Sequence, residues 1–428
     1  MQAVNDARKQ KLWQYRIYTL LWTGYASYYL CRLNFAVAQP AILAAYPTWS
    51  AAKVGGIPSV YAAFYAVGQF VNGQLADRFG PRRMMTVALS IAVLCNLGMS
   101  MADSYTGMLV LWAINGYAQS AGWTLVVQTS ANWTKVDRRG AVLGVISTCY
   151  AVGNVLAWLL AGFLVDSIGW RAAFAVPAFI ALPVAIAIGV FLRNDPRDAG
   201  LERIRDDIDD EDEVDETGAK RAPIGTLGML KMTLSNPILW VLALAFFCNN
   251  SVRYAFMNWA VQYMADFHGR SISGSAVTAV ALPLIGAVGA VSAGWISDTV
   301  FGKRRAPVCA ICLFLLAGIC VAFVHIPQGS WMIATGMLGL AGFLIYGPDM
   351  LMSGAATIDF SHPRAAAAAT GFTMAMGAAG SIFSGAGVGW LKDSTGGEWD
   401  LVFYVLAGLS LIPALLMLTI WNAKPKGS

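Results

Sequence analysis

Charge is what this sequence has little of. Of its 428 residues only 12% are Asp, Glu, Lys or Arg, while 57% are apolar; soluble globular chains carry roughly a quarter charged residues. That scarcity excludes a soluble enzyme and a nucleic-acid-binding module. Histidine is scarcer still: three residues, at 268, 325 and 362, all near the ends of apolar stretches, so none is placed as a central proton or phosphate group. The seven cysteines, at 31, 95, 149, 248, 309, 312 and 320, sit inside apolar segments. Cys309 and Cys312 form a CxxC, but no second pair or His cluster accompanies it, and it reads as helix packing rather than a metal or redox site. There is no Walker-type phosphate loop, which argues against direct ATP coupling. Nothing points to covalent catalysis, a cofactor or a metal, so the chain is not read as an enzyme. The N-terminus does not read as a cleaved signal: Met1–Arg16 is polar, with Arg8, Lys9, Lys11 and Arg16, and the apolar stretch that follows is too long for a signal core.

What the chain has instead is long apolar runs. Met84–Met101, Ala172–Leu192 and Leu401–Ile420 are close to the roughly 20 residues that a membrane-spanning helix needs. Hydropathy and punctuation predict twelve spans: 16–43, 52–76, 83–102, 106–132, 140–166 and 171–192, then 237–264, 274–298, 305–325, 330–357, 364–391 and 399–422. The expected fold is an all-α membrane protein of 12 transmembrane helices. Its expected organisation is a six-helix bundle over 1–192, an acidic linker over 193–236 and a second six-helix bundle over 237–428. The core of the linker, residues 206–216, is nearly all Asp and Glu and reads as a solvated connector. Of the 29 Lys and Arg, all but six fall at the termini, in the linker or in loops on one side. Lys53, Arg171, Arg270 and Lys392 lie on the other side, and Arg32 and Arg253 inside the apolar layer. By the positive-inside rule both termini and the linker are cytoplasmic.

The chain repeats itself. Residues 73–83 read Gly-Gln-Leu-Ala-Asp-Arg-Phe-Gly-Pro-Arg-Arg, and 294–305 read Gly-Trp-Ile-Ser-Asp-Thr-Val-Phe-Gly-Lys-Arg-Arg. Each follows the second span of its six. In both, an Asp four residues after a Gly (Gly73 and Asp77; Gly294 and Asp298) precedes a further Gly and a basic cluster, among them Arg78, Gly80, Arg82 and Arg304. The pattern predicts a tight turn at Gly with basic groups held on the cytoplasmic side, the Asp capping a helix or pairing with a base. Two copies in one membrane orientation imply parallel halves.

The chemistry centres on the two arginines in the apolar layer. A lone Arg at mid-membrane costs at least ~2.5–3.5 kcal/mol on insertion scales. Arg32 and Arg253 stand at equivalent depths in spans 1 and 7 and are expected to face one another across the pseudo-twofold axis. Two facing guanidiniums repel unless an anion lies between them, and their forked donors match phosphate or carboxylate. Asp349 is the only deep acid in the expected spans, so it can neutralise at most one. Tyr25, Tyr29 and Arg32 share a helix face by their spacing of four and three; the tyrosines either donate to the anion or pack the bundle. Gln69, Asn154 and Asn250 are uncharged polar candidates for the other end of the substrate. Trp123, Trp133 and Trp158 line the cavity or pack. The glycine-rich stretch Gly377–Gly387 reads as a close helix-contact face.

The loop Gly-x-Leu-Ala-Asp-Arg-x-Gly-x-Arg-Arg and Gly169-Trp-Arg-x-x-Phe174 resemble motifs of the major facilitator superfamily. Tyr25–Pro40, with Tyr25, Tyr29, Arg32 and Asn34, resembles the first helix of the organophosphate:phosphate antiporters, which include the bacterial glycerol-3-phosphate and hexose-phosphate transporters. Arg253-Tyr254 with Trp259 and Tyr263 resembles their seventh helix, Phe343–Leu351 their tenth and Ala369–Thr373 their eleventh. The resemblance implies that Arg32 and Arg253 bind the phosphoryl group, that Tyr25, Tyr29 and Tyr150 add hydrogen bonds, and that two rigid halves rock to exchange an organophosphate for inorganic phosphate. It also implies a bacterial inner-membrane location and no cofactor; the assembly is expected to be a monomer without nucleic-acid partners. Three residues depart from the pattern. Gln69 stands in place of a Lys in helix 2, Tyr150 in place of a His in helix 5, and Asp349 in place of a neutral residue in helix 10. Asp349 can serve a substrate ammonium, as in an aminoalkylphosphonate, a coupled proton, or one of the arginines. The expected function is therefore import of a small organophosphate or phosphonate in exchange for phosphate. A proton-coupled organic-anion symporter and a transporter-like sugar-phosphate sensor remain alternatives.

Overall fold

A computed structural model describes residues 2–202, 204, 226–362 and 365–423, and among them the chain is α-helical with no strand. The first half holds α1 (Gln2–Leu30), α2 (Asn34–Ala45), α3 (Ala51–Phe79), α4 (Pro81–Met101), α5 (Tyr105–Gln119), α6 (Gly122–Asn132), α7 (Val136–Ser167) and α8 (Ala172–Phe191). The second holds α9 (Thr226–Leu234), α10 (Pro237–Asp266), α11 (Ile272–Ala279), α12 (Ala281–Thr299), α13 (Arg305–Val324), α14 (Trp331–Met350), α15 (Ala356–Phe360), α16 (Ala366–Ser394) and α17 (Asp400–Thr419). The acidic run 206–216 lies outside the described residues.

The helices begin where the sequence offers caps. Ser50 accepts from Lys53 N, Ser104 from Gly107 N and Ser271 from Gly274 N, each satisfying a free first-turn amide. Asn236 caps α10 and Pro237 occupies its first turn, where no amide is needed. Between α3 and α4 the chain turns at Gly80, whose φ of +77° suits glycine, and the equivalent turn between α12 and α13 uses Gly302 at φ +56°.

Among the described residues, nine helical stretches are long and apolar enough to cross a membrane. The other three expected spans fall short for visible reasons. Spans 1 and 4 are each divided, as α1/α2 and α5/α6, and α3 carries Lys53, Gln69 and Asn72. Large apolar side chains such as Leu94, Phe163, Val291 and Phe314 stand exposed on the outer surface, as lipid-facing positions require.

The helices pack as two groups, with α1–α8 in one and α10–α17 in the other, and the groups meet along α3 with α16, α7 with α11, and α2 with α10. Among the described residues, six hydrogen bonds join them at the end opposite the basic loops. The Asp393 carboxylate, at the end of α16, accepts from Ala51 N (3.0 Å) and Ala52 N (2.8 Å) at the start of α3. The Asp166 carboxylate, at the end of α7, accepts from Ile272 N (3.2 Å) and Ser273 N (2.8 Å) at the start of α11. Each half thus caps a helix of the other. Ser59 ties the same seam, donating to Ile382 O and accepting from Ala386 N. Glycine permits the approach: a Cβ on Gly385 would lie 2.2 Å from Gly55 O, and one on Gly389 2.4 Å from Ala51 O. The glycine-rich stretch of α16 is therefore a contact face, as its composition predicts.

The loop-motif residues hold the basic end. Arg82 donates from Nε to Gly189 O, near the carboxyl end of α8, where free carbonyls and the helix dipole favour a cation. Arg78 is exposed against Phe79. Gly73 and Asp77 fall within α3, but their side-chain surroundings lie outside the described residues. Arg304 donates to Phe301 O, and the base of the cluster that pairs with Asp298 is its neighbour Arg305, which also meets Asp359 of α15. The tight turn, with Lys303 at φ +64°, rotates Arg305 rather than Arg304 toward the carboxylates.

Candidate functional site: a cavity between two arginines

Between the two helix groups lies a cavity of about 250 Å³, open at one end. It is closed at one end by the α3–α16 and α7–α11 seams and is reached from the basic-loop side, where Gln69 and Met374 are exposed. All eight residues expected at the site line it: Arg32, Arg253, Tyr25, Tyr29, Tyr150, Gln69, Asn250 and Asp349.

Arg32 is delivered by a break. The expected continuous first span gives way at Cys31–Leu33, between α1 and α2, and Arg32 is the middle residue of that turn. The tyrosines ride on α1 and Arg32 on the turn that ends it, and all three still face one cavity, with the Arg32 guanidinium over the Tyr29 ring. A broken helix exposes carbonyls that must find donors inside a membrane protein. Here a cluster of buried amides supplies them. Cys31 O accepts from Asn96 Nδ2 (2.9 Å), Asn115 Nδ2 (2.9 Å) and Gln119 Nε2 (3.3 Å). Asn34 Nδ2 donates to Asn96 Oδ1 at 2.7 Å and to Ala173 O at 2.9 Å. The break is therefore fixed from α4, α5 and α8. The guanidinium lies 4.4 Å from the centroid of Tyr29 and 5.7 Å from that of Tyr65, within cation–π range. Its Nε is buried with no partner, and among the described residues no carboxylate forms an ion pair with it.

Arg253 projects from the unbroken α10. Its Nη1 donates to both oxygens of Asp349, at 3.0 and 2.9 Å, and its guanidinium lies over Tyr346 (4.7 Å) and Tyr254 (5.4 Å). Asp349 thus has an arginine partner in its own half. It sits one residue before the end of α14, where a π-helical turn, Leu351–Ala355, interrupts the tenth span. Such turns are rare and cluster at functional positions; Ser353 within this one lines the cavity.

Tyr25, Tyr29, Tyr150 and Trp123 form one aromatic cluster, with centroids 4.8–5.7 Å apart. These residues pack against one another and line the cavity at once, so the two readings of the tyrosines are compatible. Asn250 is buried and donates to Phe246 O. Of the further candidates, Asn154 lies elsewhere, and Trp133 and Trp158 take the packing alternative. Asn154 is buried against the Tyr150 carbonyl and does not line the cavity. Trp133 donates to Arg193 O at the basic end. Trp158 is fully buried away from the cavity. Cys309 and Cys312 are free thiols on α13. His268 bonds Tyr263 beyond α10 and is no part of the site. Sequence reasoning missed Tyr61, Tyr65, Tyr254, Asn258, Ser353 and Ser381, which also line it. Their signal was available: Tyr61 and Tyr65 lie four apart on α3, one face with Gln69, and Tyr254 and Asn258 are likewise four apart on α10.

A sequence profile described as the Major Facilitator Superfamily matches residues 21–385. The chain is 30% identical to a probable hexose phosphate transport protein of Chlamydia pneumoniae, over 98% of this chain and 94% of that protein. It is 29% identical to a glycerol-3-phosphate transporter of Bacillus subtilis, over 97% and 94%. It is also 30% identical to the membrane sensor protein UhpC of Salmonella typhimurium, over 98% and 94%. Its fold resembles that of a bacterial homologue of the human lysosomal transporter Spinster in an inward-facing, unoccupied conformation, with a TM-score of 0.74 at 16% identity over 96% of both chains.

Proposed function

Because this chain belongs to the organophosphate:phosphate antiporter group of the major facilitator superfamily, we propose that it imports a small organophosphate or phosphonate in exchange for inorganic phosphate. The observation that carries this reading is the single cavity shared by Arg32 and Arg253. The protein groups of the site sum to one net positive charge, two arginines against Asp349, and a phosphoryl group matches forked guanidinium donors. The unused Nε atoms of both arginines are further donors for it.

The mechanism follows from the geometry. An anion held by Arg32 of the first half and Arg253 of the second attracts the two halves toward each other. Closing the cavity on the basic side then needs the opposite seams to part, which breaks the six hydrogen bonds at that end. Without an anion, bringing two guanidiniums together in a low dielectric is repulsive, so reorientation without cargo is slow and exchange follows. We place the twelve spans in two six-helix bundles, 1–192 and 237–428, as the bodies that rock, with both termini cytoplasmic from the bias of basic loops. In a bacterium the membrane is the inner one.

The test is exchange of labelled phosphate in liposomes that hold the purified protein and unlabelled phosphate. Rapid counterflow, inhibited by glycerol-3-phosphate or a hexose phosphate, is the expected result; none, from folded protein, contradicts it. The identity with UhpC favours one second reading, a sensor. A sensor binds the same phosphate esters but moves them slowly, so binding without exchange identifies it.

A further inference from the structure

The Arg253–Asp349 pair has an open geometry. Both carboxylate oxygens converge on one nitrogen, Nη1. A closed pair sets two guanidinium nitrogens side by side against two oxygens. Here Nη2 and Nε stand outside the pair, and Nε is buried with no partner. Asp349 keeps 17% of its side chain exposed and faces the cavity, with the outer lone pairs of its oxygens unused by any described hydrogen bond. The π-helical turn directly after it widens the helix at the cavity wall.

Charge decides which cargo this arrangement suits. A phosphate monoester carries about −1.5 to −2 near pH 7. With a neutral organic part, such as glycerol or a sugar, it drives the site from one net positive charge to a net negative one. Among the described lining residues no further cation offsets this. An ester whose organic part carries an ammonium group leaves the site near neutral. Asp349 is the only carboxylate among the described lining residues, so the ammonium has a single anionic partner. Tyr254, which lines the cavity beside Arg253, adds an aromatic face that favours a cation.

We infer that the transporter selects zwitterionic cargo: phosphate monoesters or phosphonates bearing an ammonium group, the phosphoryl group between Arg32 and Arg253 and the ammonium on Asp349. The inference rests on the two-arginine reading of the cavity. It makes Asp349 a specificity-determining residue, acting on the organic part of the substrate rather than on its phosphate.

The experiment is competition against labelled-phosphate counterflow in proteoliposomes at pH 7.5, with pairs of competitors that share the phosphoryl group and differ by the ammonium. Phosphoethanolamine is compared with glycerol-3-phosphate, and 2-aminoethylphosphonate with ethylphosphonate. The ammonium member of each pair is expected to compete at least about tenfold more strongly, the gain of one charge-assisted hydrogen bond in a partly dry site. Equal or weaker competition by the ammonium members overturns the inference. In Asp349→Asn the ratio within each pair should fall toward one; a ratio that stays at the wild-type value removes Asp349 from the role. Should that variant exchange too slowly to read, ligand-induced shifts in thermal unfolding of wild type and variant give the same ratios. If neither phosphate nor any competitor binds the wild type, the two-arginine reading itself fails, and the inference falls with it. A preference for neutral esters that grows as pH falls would instead assign the compensating charge to a proton and would also overturn the inference.

Discussion

Removing the two carboxylates that lock the seam should tip the transporter toward its other face. Asp393 holds the first amides of α3, and Asp166 those of α11, each with two hydrogen bonds across the boundary between the halves. These contacts exist only while the end opposite the basic loops is closed. Replacing a capping Asp by Ala costs ~0.5–2 kcal/mol. Each single alanine variant should therefore raise the population open at that end by roughly 2- to 30-fold. The two latches lie on different seams and share no residue, so their effects should add: ~1–4 kcal/mol for the double variant, or roughly 5- to 900-fold. Asn retains one acceptor oxygen and should recover much of each effect. The readout is the distance distribution between spin labels on cysteines introduced at the exposed positions Thr48 and Gln328, one on each half at that end. The double variant should populate a longer distance that wild type hardly shows. An unchanged distribution, or recovery by Asn no better than Ala, would refute the claim that these caps set the balance.

Three further outcomes follow from the same structure. Asn96→Ala removes two donated bonds, to Cys31 O and Ala92 O, and the acceptor of Asn34; at ~1 kcal/mol per bond it should destabilise by about 2–4 kcal/mol. Because the break it supports aims Arg32, it should also weaken phosphate binding, and a stability loss with unchanged phosphate affinity would deny that link. Gly385→Ala places a Cβ 2.2 Å from Gly55 O, so it should favour the opposite face in the spin-label assay as the latch variants do; a wild-type distribution would mean that the seam yields without opening. Burial holds the His268 ring below its ordinary pKa. Its stabilising contribution is therefore present above pH 6.5 and declines as pH falls below it, because the unfolded chain binds the proton more readily. His268→Gln should flatten the acid side of the stability profile, and an unchanged slope would contradict this.

The sequence carried the fold class and most of the cavity. Apolar run length, the bias of basic loops and the repeated Gly-Asp-basic loop are local patterns, and each has a direct physical cause in the bilayer. Arg32, Arg253 and Asp349 were legible because a charge inside an apolar run demands a reason. The interruption of the first span was not. Tyr29-Leu-Cys-Arg-Leu-Asn34 contains neither Gly nor Pro, and what holds it open is Asn96, Asn115 and Gln119, more than sixty residues away. The partner of Asp349 was likewise open, since composition does not say which arginine lies beside it; the packing of α10 against α14 selects Arg253. Asp166 and Asp393 gave no signal at all, being ordinary acids at helix ends whose role depends on the other half. The motif said that Asp298 meets a base of the cluster but not which one; the tight turn brings Arg305 to it and leaves Arg304 on Phe301 O.

The central claim is that Arg32 and Arg253 together hold a phosphoryl group. Equilibrium binding of labelled inorganic phosphate to purified wild type, Arg32→Lys and Arg253→Lys tests it most directly. Lys keeps the charge but loses the fork, and with it at least one charge-assisted hydrogen bond. Both variants, with thermal unfolding like that of wild type, should bind phosphate at least about tenfold more weakly. Affinity within about twofold of wild type, in either variant, is too small a loss for such a bond and would show that this arginine does not grip the phosphate.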